Sequence, residues 1–202
     1  MTCSENKIPE RPILFSGEMV RAILEGRKTQ TRRVVNPQPS TFSSSVYADL
    51  YCDGPNWAFW LPDNRMTEPR TWASPYGQAG DRLWVRETWA VANYKGQSVG
   101  PYVADAEEVV YRADGFDLKG RWRPSIHMPR IASRIDLLIK QVRVERLQQI
   151  STDDAVAEGI KELQGGATVE FMNLWDSINA KRGFGWATNP WVWVIEFDRI
   201  RS

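Results

Sequence analysis

The chain has 202 residues, 42% hydrophobic and 25% charged, and its 26 Lys and Arg against 25 Asp and Glu leave a net charge of +1. That balance excludes a protein that coats nucleic acid through bulk charge, and it excludes an acidic disordered tail. Ten tryptophans and an aromatic fraction of 11% predict a folded, aromatic-rich globule, of a length that allows one or two domains.

Residues 1–10 read as a polar N-terminal tail, and a single domain is expected over 11–200. Ile13, Leu14 and Phe15 predict a short strand. Ser16-Gly17-Glu18 then opens a helix over 17–25, with Met19, Val20, Ile23 and Leu24 at helical spacing and Gly26 just past its end. Arg27 to Val35 predicts an extended strand. Residues 36–78, rich in Pro, Ser, Gly and Asn but carrying Trp57, Trp60 and Trp72, read as an insertion that contains a hairpin.

Gly80-Asp81 marks a turn before a strand from Leu83 to Trp89, and Tyr102 to Tyr111 holds room for another. Arg121 to Arg134 is irregular and basic. Ile135, Leu137 and Ile139 alternate, and Val142 and Val144 continue on the opposite parity, which predicts one long strand with a bulge near Lys140-Gln141. Ser151 and Asp154 are spaced as a capping box, and Phe171, Leu174, Trp175 and Ile178 form the apolar face of a third helix. Trp191 to Phe197, apolar on both faces, predicts a central strand. The order of elements gives an α+β fold, a small barrel with helices on its flank.

The cysteines, Cys3 and Cys52, offer neither metal-ligand spacing nor a disulfide framework. His127 is the only histidine, so a zinc site would need mostly carboxylate ligands. No phosphate-binding Gly-rich loop or acyl-hydrolase elbow is visible, and no metal or cofactor is expected. No apolar run reaches 18 residues and no signal peptide is visible, so a cytoplasmic protein is expected.

The stretch Ile23-Leu24-Glu25-Gly26-Arg27-Lys28-Thr29-Gln30-Thr31-Arg32-Arg33 resembles the helix-turn-strand opening of ASCH domains, relatives of the PUA RNA-binding fold. Gly80-Asp81, Ala155-Val156-Ala157-Glu158-Gly159 and Trp193-Val194-Ile195-Glu196-Phe197 resemble the family's mid-domain turn, short helix and closing strand, in family order. The whole chain resembles the ASCH-type proteins of bacteriophages and prophages, mostly of unassigned function. The resemblance implies a PUA-like barrel with a cleft, binding of RNA or a nucleoside, and a bacterial host cytoplasm. One branch of the family is an amidohydrolase that deacetylates 4-N-acetylcytidine, with a lysine, a threonine and a glutamate that match Lys28, Thr31 and Glu158 here. This chain is about twice as long as that branch.

Read without the family, Lys28 and Glu158 are a surface ion pair and Thr31 an ordinary strand residue. Lys28 and Thr31 lie three apart, so they share a pocket only if Lys28 remains in the turn or a bulge intervenes. Arg27, Arg32 and Arg33 form one basic cluster, and Arg123 with His127 belongs to a second. Basic side chains beside rings suit a phosphate backbone with stacked bases, with Trp60 and Trp72 as a lid over a base. The same cations also suit a solvated strand edge. Three functional expectations stand together: a pocket for RNA or a modified nucleoside with amide hydrolysis, a non-catalytic RNA-binding module, and a phage accessory protein that binds a host protein.

Overall fold

The computed structural model describes residues 8–39, 50–53, 56–59, 70–93, 95–98, 108–161 and 165–200, with backbone only at 50–53, 56–59 and 70–72. Among the described residues ten strands run in chain order, β1 (Glu10–Leu14), β2 (Gln30–Val34), β3 (Leu50–Asp53), β4 (Asn56–Phe59), β5 (Arg70–Ala73), β6 (Arg82–Arg86), β7 (Trp89–Ala92), β8 (Glu108–Tyr111), β9 (Asp136–Arg146) and β10 (Trp191–Ile200). The described residues also form three α-helices, α1 (Gly17–Leu24), α2 (Thr152–Ala157) and α3 (Ala167–Asn179). The fold is mixed α+β, built on a five-stranded sheet ordered β1-β6-β9-β10-β2. β1 and β6 run parallel, and the other neighbours are antiparallel. Within the insertion, β3-β4-β5 form an antiparallel meander where a hairpin is expected.

Side-chain alternation on β10 divides the interior. Trp193, Ile195 and Phe197 enter one core with Ile13, Phe15, Val20, Ile23, Leu83 and Leu137, so α1 packs on that face. Val192 and Val194 enter another core with Ala155, Phe171 and Trp175, so α2 and α3 cover the opposite face. With both faces covered, β10 lies inside the sheet between β9 and β2, as its double apolar character requires. The phase switch of β9 is also present. Gln141 pairs with Glu196 and Ile139 with Phe197, leaving Lys140 as the extra residue of a bulge that bends the strand.

The barrel does not close. The five-stranded sheet ends at β1 and β2, and among the described residues no backbone ladder joins them. A side chain spans the seam instead, because Arg33 Nη2 donates to the Leu14 carbonyl at 2.6 Å with its guanidinium 5.1 Å from the Phe15 ring centroid. The strand expected from Leu83 to Trp89 is likewise two strands. Glu87 is buried between them and paired with Arg134 at 2.9 Å, and β7 leaves the main sheet to pair with β8.

Candidate active-site cleft

The turn between α1 and β2 places Lys28. The Ser16 hydroxyl accepts from Met19 N at the start of α1, and Gly26, at φ +76, reverses the chain at its end. The amides of Arg27 and Lys28 both donate to Ala22 O, and Thr29 N donates to Ala157 O at 2.9 Å. Regular strand geometry starts only at Gln30, so Lys28 is free of the strand's alternation and forms a single antiparallel bridge with Glu158. Glu158 is set by α2. Ser151 and Asp154 cap that helix reciprocally, and its last turn delivers Glu158 just before Gly159, at φ +87. A Cβ at Gly159 would stand 2.9 Å from Ala22 Cβ and 3.0 Å from Lys28 Cβ, so only glycine allows this approach of α1, the turn and α2.

Lys28 is fully buried, and its Nζ donates to Glu158 Oε2 at 2.8 Å, Glu158 O at 2.7 Å and Gln30 O at 2.8 Å. Three ammonium protons thus meet three acceptors. Burial pushes the Lys28 amine below its ordinary range, against the pull of the Glu158 carboxylate. The other Glu158 oxygen accepts from Arg32 Nη1 at 3.3 Å, and Arg32 Nη2 continues to Asp154 at 3.0 Å and Glu145 at 3.2 Å. Arg143 closes the network on Glu145, Glu196 and Asp154. Burial raises the Asp154 carboxyl, but Arg32 and the hydrogen bonds from Gln30 and Ser151 hold it below the usual carboxylate range.

Glu158 opens onto a cavity of about 280 Å³ at the unclosed seam. β1 and β2 form two of its walls, and α3 forms a third with Phe171 and Trp175. Thr31 and Arg33 line it, together with Tyr76 and Arg182. Lys28 reaches the cavity only through Glu158. Arg33 carries no carboxylate partner among the described residues. Burial lowers its guanidinium from its ordinary value, with Tyr76 and Glu158 acting the other way. A larger depression of about 430 Å³ lies beyond Glu158 against α1, but its Arg27 is already paired with Glu25.

The expected site residues therefore separate. Lys28 and Glu158 are in direct contact, and Thr31 shares the cavity with Glu158. Arg32, expected to contact a phosphate backbone, borders the cavity but has no side-chain exposure and is ion-paired to Glu158, Asp154 and Glu145. Arg27 bonds Glu25 and Gly159 O. Arg123 stacks over Trp89, and exposed His127 lies in the 3-10 turn Ser125–His127, both away from the cleft lining. Trp60 lies outside the described residues, and Trp57 and Trp72 are described only as opposed positions of β4 and β5. Sequence reasoning did not single out Tyr76, Arg143, Glu145 or Arg182, which sit far apart in sequence without a shared motif. Among the described residues, no group of His, Cys, Asp and Glu is arranged to hold a metal ion, and no helix is long and apolar enough to cross a membrane.

No family model matches the chain, and no curated protein matches it. A match among solved structures is the crystal structure of protein EF3133 from Enterococcus faecalis, of the family DUF984, at 10% identity and a TM-score of 0.42, covering 96% of this chain and 80% of that one. A likeness this distant carries no functional argument, which rests on the site itself.

Proposed function

We propose that the chain is an ASCH-type pocket protein of a bacterial host cytoplasm whose seam cleft binds a nucleobase-bearing ligand, a nucleoside or a nucleotide of RNA. One observation carries the reading, the meeting in a single cavity of Glu158 and Thr31 with the rings of Phe171, Trp175 and Tyr76. At about 280 Å³ the cavity lies just under the ~300 Å³ at which small-molecule sites commonly begin, a size for one base rather than a folded RNA. Half-buried Tyr76 offers a ring face, the buried Phe171 and Trp175 give the cavity an apolar aromatic wall, and the polar groups can fix a base edge. The open edge of β2 adds backbone groups. Val35 N bonds Trp191 O, so by antiparallel alternation Arg32 and Val34 turn their amides and carbonyls toward the seam.

A second reading, amide hydrolysis on an N-acylated cytidine-like base, is supported by the carboxylate on the cleft wall beside a desolvated lysine. Water would add to the acyl carbonyl and the C–N bond would break, giving a carboxylic acid and the free exocyclic amine. Glu158 would carry the proton from water to the departing nitrogen. Lys28, with its protons all engaged, would hold Glu158 in place, and the Thr31 hydroxyl would orient the acyl group.

One experiment separates the readings. The purified protein is titrated with cytidine and 4-N-acetylcytidine, followed by tryptophan fluorescence, since Trp175 lines the cleft. The same mixtures are assayed for cytidine release. Saturable quenching without release supports the binding module. Release that falls by ~10²–10⁴-fold in Glu158→Gln supports the hydrolase. A protein that quenches with neither nucleoside has no such pocket function, and a host-protein partner becomes the reading to pursue.

A further inference from the structure

We infer that the ligand of the cleft is a nucleotide within a single strand, whose phosphodiester backbone leaves the cleft across the ends of β1 and β6 and is held by Arg33, Arg182, Arg86 and Arg123. The inference rests on the base-binding reading above and names the class of molecule that the pocket serves.

The path is built from contacts. Arg33 and Arg182 line the cavity, and neither has a carboxylate partner among the described residues. Arg33 leans on Leu14 O, at the end of β1. In the parallel register Leu14 stands opposite Arg86, the last residue of β6, and Phe15 N donates to Arg86 O at 3.1 Å. Arg86 Nη1 donates to Ile126 O at 3.3 Å, three residues after Arg123 and within the turn Ser125–His127. Exposed Leu14 therefore lies between the cleft and a second cationic surface that also carries His127.

Chemistry favours phosphate as the partner of these guanidiniums. Arg86 stacks over Trp84 at 4.6 Å and Arg123 over Trp89 at 5.6 Å, and neither forms an ion pair among the described residues. Their Nε atoms are buried without a partner, and Arg86 Nη1 is engaged by Ile126 O, so Arg86 Nη2 and the two terminal nitrogens of Arg123, which carry no hydrogen bond among the described residues, are the donors an outside acceptor would meet. Stacking fixes the plane of each fork, and a planar fork of donors suits the paired oxygens of a phosphate. By contrast, Arg11, Arg32, Arg130, Arg134 and Arg143 are each bound to carboxylates of the chain itself. A duplex would keep its bases stacked inside, whereas a single strand can turn one base into a cavity of this size and run its backbone along the arginines. A net charge of +1 is no obstacle, because the attraction is local.

The test measures the salt dependence of binding of a short fluorescein-labelled single-stranded RNA of mixed sequence, by anisotropy, to the full chain and to Arg86→Gln/Arg123→Gln. Two lost phosphate contacts should lower the log–log salt slope by about 1.4, at about 0.7 each for a single strand. Arg86→Lys/Arg123→Lys, which keeps the charges, should restore the slope if the Gln variant is folded by circular dichroism. An unchanged slope in the Gln variant overturns the track. If free cytidine displaces the RNA at equal concentration, the ligand is a free nucleoside, and the inference fails while the pocket reading stands. If a poly-glutamate peptide displaces the RNA as well as unlabelled RNA does, the surface serves an acidic protein and the inference also fails. If neither cytidine nor RNA binds, the pocket reading falls and takes the track with it.

Discussion

Replacing Lys28 by methionine tests whether the Lys28–Glu158 contact organises the site. Methionine keeps the length and apolar stem of lysine but has no ammonium. The change would leave Gln30 O, Glu158 O and Glu158 Oε2 without the donor that now reaches each of them at 2.7–2.8 Å. An unpaired buried acceptor costs about 1–3 kcal/mol, and removing one member of a buried ion pair typically costs about 3–5 kcal/mol. Arg32 still holds the other Glu158 oxygen at 3.3 Å, which places the expected loss near the lower end, about 3 kcal/mol. An exposed lysine–glutamate pair would lose under about 1 kcal/mol, so the two accounts are well separated. The assay is urea unfolding with linear extrapolation, at constant slope so that a shifted midpoint reads as stability. A loss below about 1 kcal/mol would refute the buried, fully bonded lysine. Lys28→Met combined with Glu158→Leu should recover part of the loss, since replacing both charges leaves Arg32 and not Glu158 to be satisfied, and Arg32 retains Asp154 and Glu145.

Gly159→Ala should cost about 2–5 kcal/mol, from a left-handed backbone angle and from a Cβ driven against Ala22 and Lys28, and the same unfolding assay checks it; a neutral result would mean that α2 can draw back from the turn. Asp154, held below its ordinary value of 3.8 in the folded chain, contributes stability that is present above that pH and lost as the pH falls through the folded value. The stability gap between the chain and Asp154→Asn, measured by urea unfolding from neutral to acid pH, should therefore narrow below about pH 3.8, and a gap that stays constant with pH would contradict the ion pairing with Arg32.

Much of the fold was legible because local signals and burial agree. The Ser16 and Ser151 caps start α1 and α2 where the hydroxyls accept the N3 amides. The parity change between Ile139 and Val142 marks the bulge at Lys140, since a strand can keep both runs facing one core only by inserting a residue. The closure of the sheet was not legible. A barrel and an open sheet share the same alternating strands, and the difference lies in whether two edge strands meet. Here the Phe15 ring and the Arg33 side chain occupy the seam, a fact about three-dimensional volume that no period in the sequence encodes.

Arg32 and Arg33 show where sequence reasoning about the site reaches its limit. As neighbours in a basic cluster they look interchangeable, yet β2 sends them to opposite sides. Arg32 pairs across the ladder with Val194, and Arg33 pairs with Trp193, so each follows its partner's face. Val194 belongs to the core under α2 and α3, and Arg32 there meets Glu158, Asp154 and Glu145. Trp193 belongs to the core around α1, and Arg33 emerges beside it at the seam without a carboxylate partner among the described residues. One residue therefore holds Glu158 in place, and the next lines the cavity. The alternation of β2 was readable, but the identity of the two faces was not. That depended on carboxylates more than a hundred positions away in the chain, delivered by β9 and α2.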